Sequence, residues 1–256
     1  MLFRSTVAKA CSRHAEIGGS RISVTGIAKG VGMLAPNMAT MLTFIATDAR
    51  VDEGVLRRMV KEVADVSFNR VTVDGDTSTN DSFVLIATGK AAHPEIREHG
   101  SKDYLQLRDV IAGIAVQLAQ SIARDGEGAT KFITVDVGGA RDDAEALRVA
   151  RCIAHSPLVK TAFFASDPNL GRLIMAIGNA GVEAMDTSRV NLWLGDVRVI
   201  ESGGRAGSYT EEAGAAVMKA EEIRVRVDLG RGGCGTTVWT CDYSYDYVKI
   251  NAEYRT

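Results

Sequence analysis

Seven apolar positions, Tyr104, Leu107, Ile111, Ile114, Ala115, Leu118 and Ile122, recur every three or four residues and predict a long helix with one continuous apolar stripe. Such a helix must lay its stripe on another layer, and strand-like segments supply one. Alternation in Ile22 to Ala28, Met41 to Thr47, Phe83 to Thr88, Phe132 to Val137, Val190 to Leu194 and Ile223 to Val227 predicts half-buried strands. Leu56, Met59, Val60 and Val63 follow the cap residue Asp52 at helical spacing. A third helix begins near Asp142 or Asp143 and carries Leu147, Ala150 and Ile153. A fourth follows Thr210, with Glu211 and Glu212 suited to the positive end of its dipole. The expected class is α/β (α+β), a layered sheet-and-helix sandwich. Gly30-Val31-Gly32 is not followed by a helix start, which argues against a dinucleotide fold. With 256 residues, 46% of them hydrophobic, the chain can bury a sizeable core, and residues 1–256 are expected to form a single domain. Gly203-Gly204 and Gly232-Gly233 read as turns within it.

A net charge of -2, with both signs mixed along the chain, gives no electrostatic footprint for nucleic acid or an anionic membrane. Cys11, Cys152, Cys234 and Cys241 show neither a CxxC pair nor a His at zinc-ligand spacing, so no metal and no disulfide framework is expected. No apolar run has the length of a secretory core or a membrane span, and a soluble cytoplasmic protein is the expectation. The acidic stretch Asp74 to Asp81 lacks the glycine and distal glutamate of an EF-hand and reads as a hydrogen-bonded turn. His14, His93, His99 and His155 are too scattered for a hydrolase triad and read as surface or satisfied histidines.

Chemistry concentrates in Lys29 to Asp48, KGVGMLAPNMATMLTFIATD, where the small-residue/threonine junction Ala39-Thr40 sits between a glycine-rich turn and a strand. A threonine attacks a carbonyl only if a base takes its proton, and a peptide cut before Thr40 would supply one as the new terminal amine. Taken locally, threonine among apolar residues is also ordinary strand composition.

NMATML, VDGDTSTND at Val73 to Asp81, RDGEGATKF at Arg124 to Phe132, KTAFFASDPN at Lys160 to Asn169 and the closing YVKINAEYRT carry a resemblance over nearly the whole chain. Together they resemble the ornithine acetyltransferase family, the bifunctional glutamate N-acetyltransferases of arginine synthesis. The resemblance implies cleavage between Ala39 and Thr40, giving residues 1–39 as the remnant of an α-chain and 40–256 as a β-chain. It further implies an acetyl-Thr40 intermediate, N-acetylornithine and glutamate as substrates, acetyl-CoA as an alternative donor, no cofactor, and a hetero-tetramer of two α and two β chains. Lys29, Thr40, Glu127, Asn251 and Thr256 match the family's substrate-contacting positions. Lys29 suits a carboxylate or the self-cleavage turn, and Glu127 an ammonium group. Without the family, Lys29 reads as a solvated lysine and Glu127 as a loop surface charge. Gly126 and Gly128 would allow a ligand to approach Glu127 closely, and the C-terminal tail is expected to dock through Tyr243, Tyr245, Tyr247, Val248 and Ile250. Thr256 would offer its terminal carboxylate to a substrate cation.

Two departures from the family stand at the front. The Thr-Gly pair that forms the family's oxyanion hole has no counterpart here, and Phe3-Arg4-Ser5-Thr6 replaces a Thr-Thr-Asp-Thr run. On that ground the isolated chain is expected to stay largely uncut and to transfer little acetyl. Besides the transferase, two readings stay open: a Thr40 aminopeptidase or amide hydrolase with water as acceptor, and a truncated chain that binds without turnover.

Overall fold

In a computed structural model describing residues 5–32, 41–77 and 81–253, the chain forms two compact units, one ending at Asp125 and the other beginning at Gly126. The first contains a four-stranded sheet. Strands β1 (Lys9–Ile17), β2 (Ser20–Lys29) and β3 (Leu42–Thr47) run antiparallel in turn. Helix α1 (Glu53–Val66) then carries the chain over to β4 (Ser82–Ala87), which lies parallel to β3. As its sequence suggests, α1 starts at Asp52, whose carboxylate accepts the Gly54 and Val55 amides at 2.9 and 3.2 Å.

Helix α2 (Lys102–Arg124) lies across β1 and β2, and all seven residues of its stripe are buried. Each large one contributes about 1.5–3 kcal/mol by leaving water. The fit is close at Gly26 on β2, where an added Cβ would stand 2.7 Å from Ile114 and 2.8 Å from Leu118. The sense of alternation in β3 is unusual: Thr43, Ile45 and Thr47 point inward, while Leu42 and Phe44 point out, each 42% exposed. Phe44 pairs in register with Ile27 and Val84, so the outer face of this sheet carries a row of exposed apolar side chains.

The second unit holds a six-stranded sheet. In chain order its elements are β5 (Phe132–Ala140), α3 (Asp143–His155), α4 (Pro157–Phe164), α5 (Leu170–Gly178), β6 (Asn191–Leu194), β7 (Val197–Glu201), β8 (Gly204–Arg205), α6 (Glu211–Met218), β9 (Glu222–Asp228), β10 (Cys234–Cys241) and α7 (Tyr245–Glu253). The strand order is β10-β5-β9-β6-β7-β8, with β5 and β9 parallel and the other pairs antiparallel. Helix α3 covers β5 and β10 with Val149, Ala150 and Ile153, while α6 covers β6 and β7. The opposite face is polar: Asp136 binds Arg224 and accepts from Thr237, and Arg198 and Arg226 flank the Trp193 ring.

Caps expected at Asp142 and Thr210 are present, accepting from the Glu145 and Ala213 amides at 2.8 and 3.2 Å. Asn169 likewise caps α5 through the Arg172 amide, so the Ser166 to Asn169 segment is a turn and helix start. No helix among the described residues is long and apolar enough to cross a membrane.

Candidate active site

In the first unit, one expected site residue, Lys29, stands at an end of the sheet. Lys29 ends β2 with an exposed side chain and pairs in register with Leu42, the first residue of β3. Thr40 and Ala39 lie outside the described residues, but the chain resumes at Met41, which is buried and fixed through its main chain. Its amide donates to Asp81 Oδ1 at 2.6 Å, and its carbonyl accepts the Ser82 amide at 2.9 Å. Burial pushes the Asp81 carboxyl above its ordinary pKa, with the Met41 amide pulling the other way. Asp81 thus holds the peptide that follows the candidate nucleophile.

The same sheet end carries a buried ion pair between Lys9, which pairs with Ala28 in register, and Asp125 at the end of α2. Asp125 also accepts from Ser5 Oγ at 3.0 Å and from the Thr6 amide and hydroxyl. Burial raises its pKa, but the bonds from Lys9 and Thr6 outweigh that and leave the carboxyl below its ordinary value. The polar groups of Ser5 and Thr6 are therefore committed to Asp125.

Glu127 and Asn251 belong to the second unit, and the fold brings them together across 124 residues of chain: Asn251 Nδ2 donates to Glu127 Oε2 at 2.9 Å and to the Tyr247 carbonyl at 3.0 Å. Glu127 is only 2% exposed, so the surface-charge reading of this loop fails. Its loop is held from both sides. Fully buried Asp242 accepts the Thr130 and Lys131 amides at 2.8 Å each and the Thr130 hydroxyl at 2.5 Å, while Ser244 Oγ donates to the Gly128 carbonyl at 2.5 Å. Gly128 has φ 69°, and an added Cβ would run into the Tyr247 amide and stand 2.9 Å from both Ser244 Oγ and the Asp246 carbonyl carbon. Its close approach is to the start of α7, not to open ligand space.

The tail is docked, though not as its apolar residues suggest. Helix α7 buries no residue, Tyr245 is 83% exposed and Val248 64%. Tyr243 instead stacks on Tyr247, with centroids 4.5 Å apart, and Tyr245 meets the Phe164 edge. Thr256 lies outside the described residues.

Two features were not legible as site elements in the sequence. Asp242 sits in an unremarkable CDYS run, and only its burial against two amides reveals its role. Lys131 donates to Ser166 Oγ at 2.6 Å and to the Met218 carbonyl, and burial lowers its pKa against the pull of Asp242. Three of the histidines have partners: His93 is buried and bonded to the Arg50 amide and Pro94 carbonyl, His99 pairs with Glu62, and His14 bonds Ser23. Among the described residues, no cluster of His, Cys, Asp or Glu could hold a metal ion.

Comparison with known proteins adds two findings. The ArgJ family model matches residues 4–256. Among solved structures, the chain is similar to the arginine biosynthesis bifunctional protein ArgJ of Bacillus halodurans at 40% identity and a TM-score of 0.78, over 82% of this chain and 98% of that one.

Proposed function

The chain belongs to the ArgJ family, and from that premise we propose how this acetyltransferase of arginine biosynthesis works. It is an ornithine acetyltransferase/glutamate N-acetyltransferase. The Thr40 hydroxyl attacks the acetyl carbonyl of N-acetylornithine and yields its proton to the Thr40 amine freed by cleavage after Ala39. The amide C–N bond breaks, the leaving nitrogen takes that proton, and ornithine departs. The amine of glutamate then attacks the acetyl-Thr40 ester, giving N-acetylglutamate and restoring the hydroxyl. The ester divides one difficult transfer into two displacements.

One further observation supports this route. The Met41 peptide is fixed by Asp81 and Ser82 directly after Thr40, as a positioned nucleophile requires. Lys29 receives a substrate carboxylate, and Glu127, oriented by Asn251, receives an ammonium group. Acetyl-CoA serves as a second donor, and the reaction draws on no metal or prosthetic group. Thr256 contacts substrate, and cleaved chains assemble as two α with two β.

The observation that carries the binding assignment is the bonded pair Glu127–Asn251, a buried carboxylate held by a side chain from the far end of the sequence. Nothing in the family match or the structural likeness favours hydrolysis. Supplying N-acetylornithine with and without glutamate tests the proposal: N-acetylglutamate should form only when glutamate is present. Acetate released at the same rate in both would establish a hydrolase instead.

A further inference from the structure

The proposed binding pair depends on α7, a helix with no buried residue, so apolar burial does not fix where Asn251 stands. Polar and ring contacts must do so, and they lead back to Lys160 on α4. Lys160 is fully buried. Its Nζ donates to Thr240 Oγ1 at 2.8 Å and to the Cys241 carbonyl, and its own carbonyl accepts the Tyr243 amide at 3.3 Å. The turn from β10 to α7 is thereby gripped through side chain and main chain together. Nζ also lies 4.5 Å from the centroid of the Tyr243 ring, within the range at which an aromatic face attracts a cation. Tyr243 also stacks on Tyr247 with 21° between the ring planes, and the Tyr247 carbonyl accepts from the Asn251 side chain that holds Glu127.

We infer that Lys160 is a positioning residue for substrate binding: through Tyr243 and Tyr247 it sets Asn251 against Glu127 without touching substrate itself. The inference rests on the reading of Glu127 and Asn251 as binding groups. A lysine buried only to support the fold would be replaceable by an apolar side chain of similar length at little cost to function, since burying an amino group is itself expensive. A lysine that places α7 is not replaceable in that way.

The test is steady-state acetyl transfer by Lys160→Met, Tyr243→Leu and Glu127→Gln. Lys160→Met should raise KM for the amino-acid substrates by about tenfold, leave kcat within about twofold, and not lower the melting temperature. Added to Asn251→Ala, it should raise KM no further, because both act on one contact. A lowered melting temperature with unchanged KM would make Lys160 purely structural and overturn the inference. Should Lys160→Met fail to fold, Tyr243→Leu interrupts the same relay at a half-buried residue and must raise KM, an unchanged value being equally fatal. If Glu127→Gln raises KM while the relay variants do not, this inference alone fails. If Glu127→Gln leaves KM unchanged, the binding reading falls and the inference with it.

Discussion

Removing Asp125 should loosen the first unit far more than replacing it together with its partner. In the Lys9–Asp125 pair the two side chains are 1% and 5% exposed. Among the described residues, Asp125→Ala leaves the Lys9 amine inside with Ser5 Oγ at 3.1 Å and the Val7 carbonyl at 3.4 Å. Stranding one member of a buried pair costs about 3–5 kcal/mol. Lys9→Met with Asp125→Leu removes both charges and both desolvation penalties, and the Thr6 groups that lose their acceptor are exposed enough to bond water. The double variant should therefore cost no more than about 2 kcal/mol. Both tryptophans, Trp193 and Trp239, lie in the second unit, so fluorescence would report the wrong part of the chain. Hydrogen exchange of β1 and α2 peptides in urea, read by mass spectrometry, follows the first unit directly. pH supplies an independent arm. The Asp125 carboxyl has a lowered pKa, so its stabilisation is full above the ordinary aspartate value of about 4 and is lost as pH falls through the folded value. A double variant as unstable as Asp125→Ala, or a single variant costing under about 1 kcal/mol, would refute the reasoning.

Gly128→Ala should destabilise the second unit by about 1–3 kcal/mol and raise KM for the amino acids, because its Cβ collides with the start of α7. Thermal melting and steady-state kinetics check both, and an unaltered KM would separate this loop from binding. Asp81→Ala should lower kcat by about tenfold or more while leaving the fold intact, whereas Asp81→Asn, which keeps an acceptor for the Met41 amide, should retain most activity. Equal losses in both would show that the carboxyl does more than hold that peptide.

Much of the fold is legible because local and tertiary demands agree. The stripe from Tyr104 to Ile122 is buried at every position, and Asp52, Asp142 and Thr210 cap the helices their chemistry suggests. Strand β1 was hidden because it buries little besides Lys9 and Ile17, and its polar residues carry no alternation to read. In β3 the alternation is real, but its sense is reversed: Thr43 faces inward and Phe44 outward, which polarity alone cannot reveal. Helix α4 lies in an apolar run without a clear period, α5 spans only nine residues, and α7 has no buried residue. Of the site, Glu127 and Asn251 could be named from motifs. Their supports could not, because Asp242, Ser244 and Lys160 act through partners more than eighty residues away in sequence.

The central claim is that one acetyl group passes through Thr40. The direct test is to mix the protein with N-acetylornithine bearing a labelled acetyl group, quench without glutamate, and map the label by peptide mass spectrometry. The account predicts a single labelled ester on a peptide beginning at Thr40, discharged to N-acetylglutamate when glutamate is added and absent from Thr40→Ala. Labelled N-acetylglutamate formed by Thr40→Ala at an undiminished rate, or label on any other side chain, would contradict it.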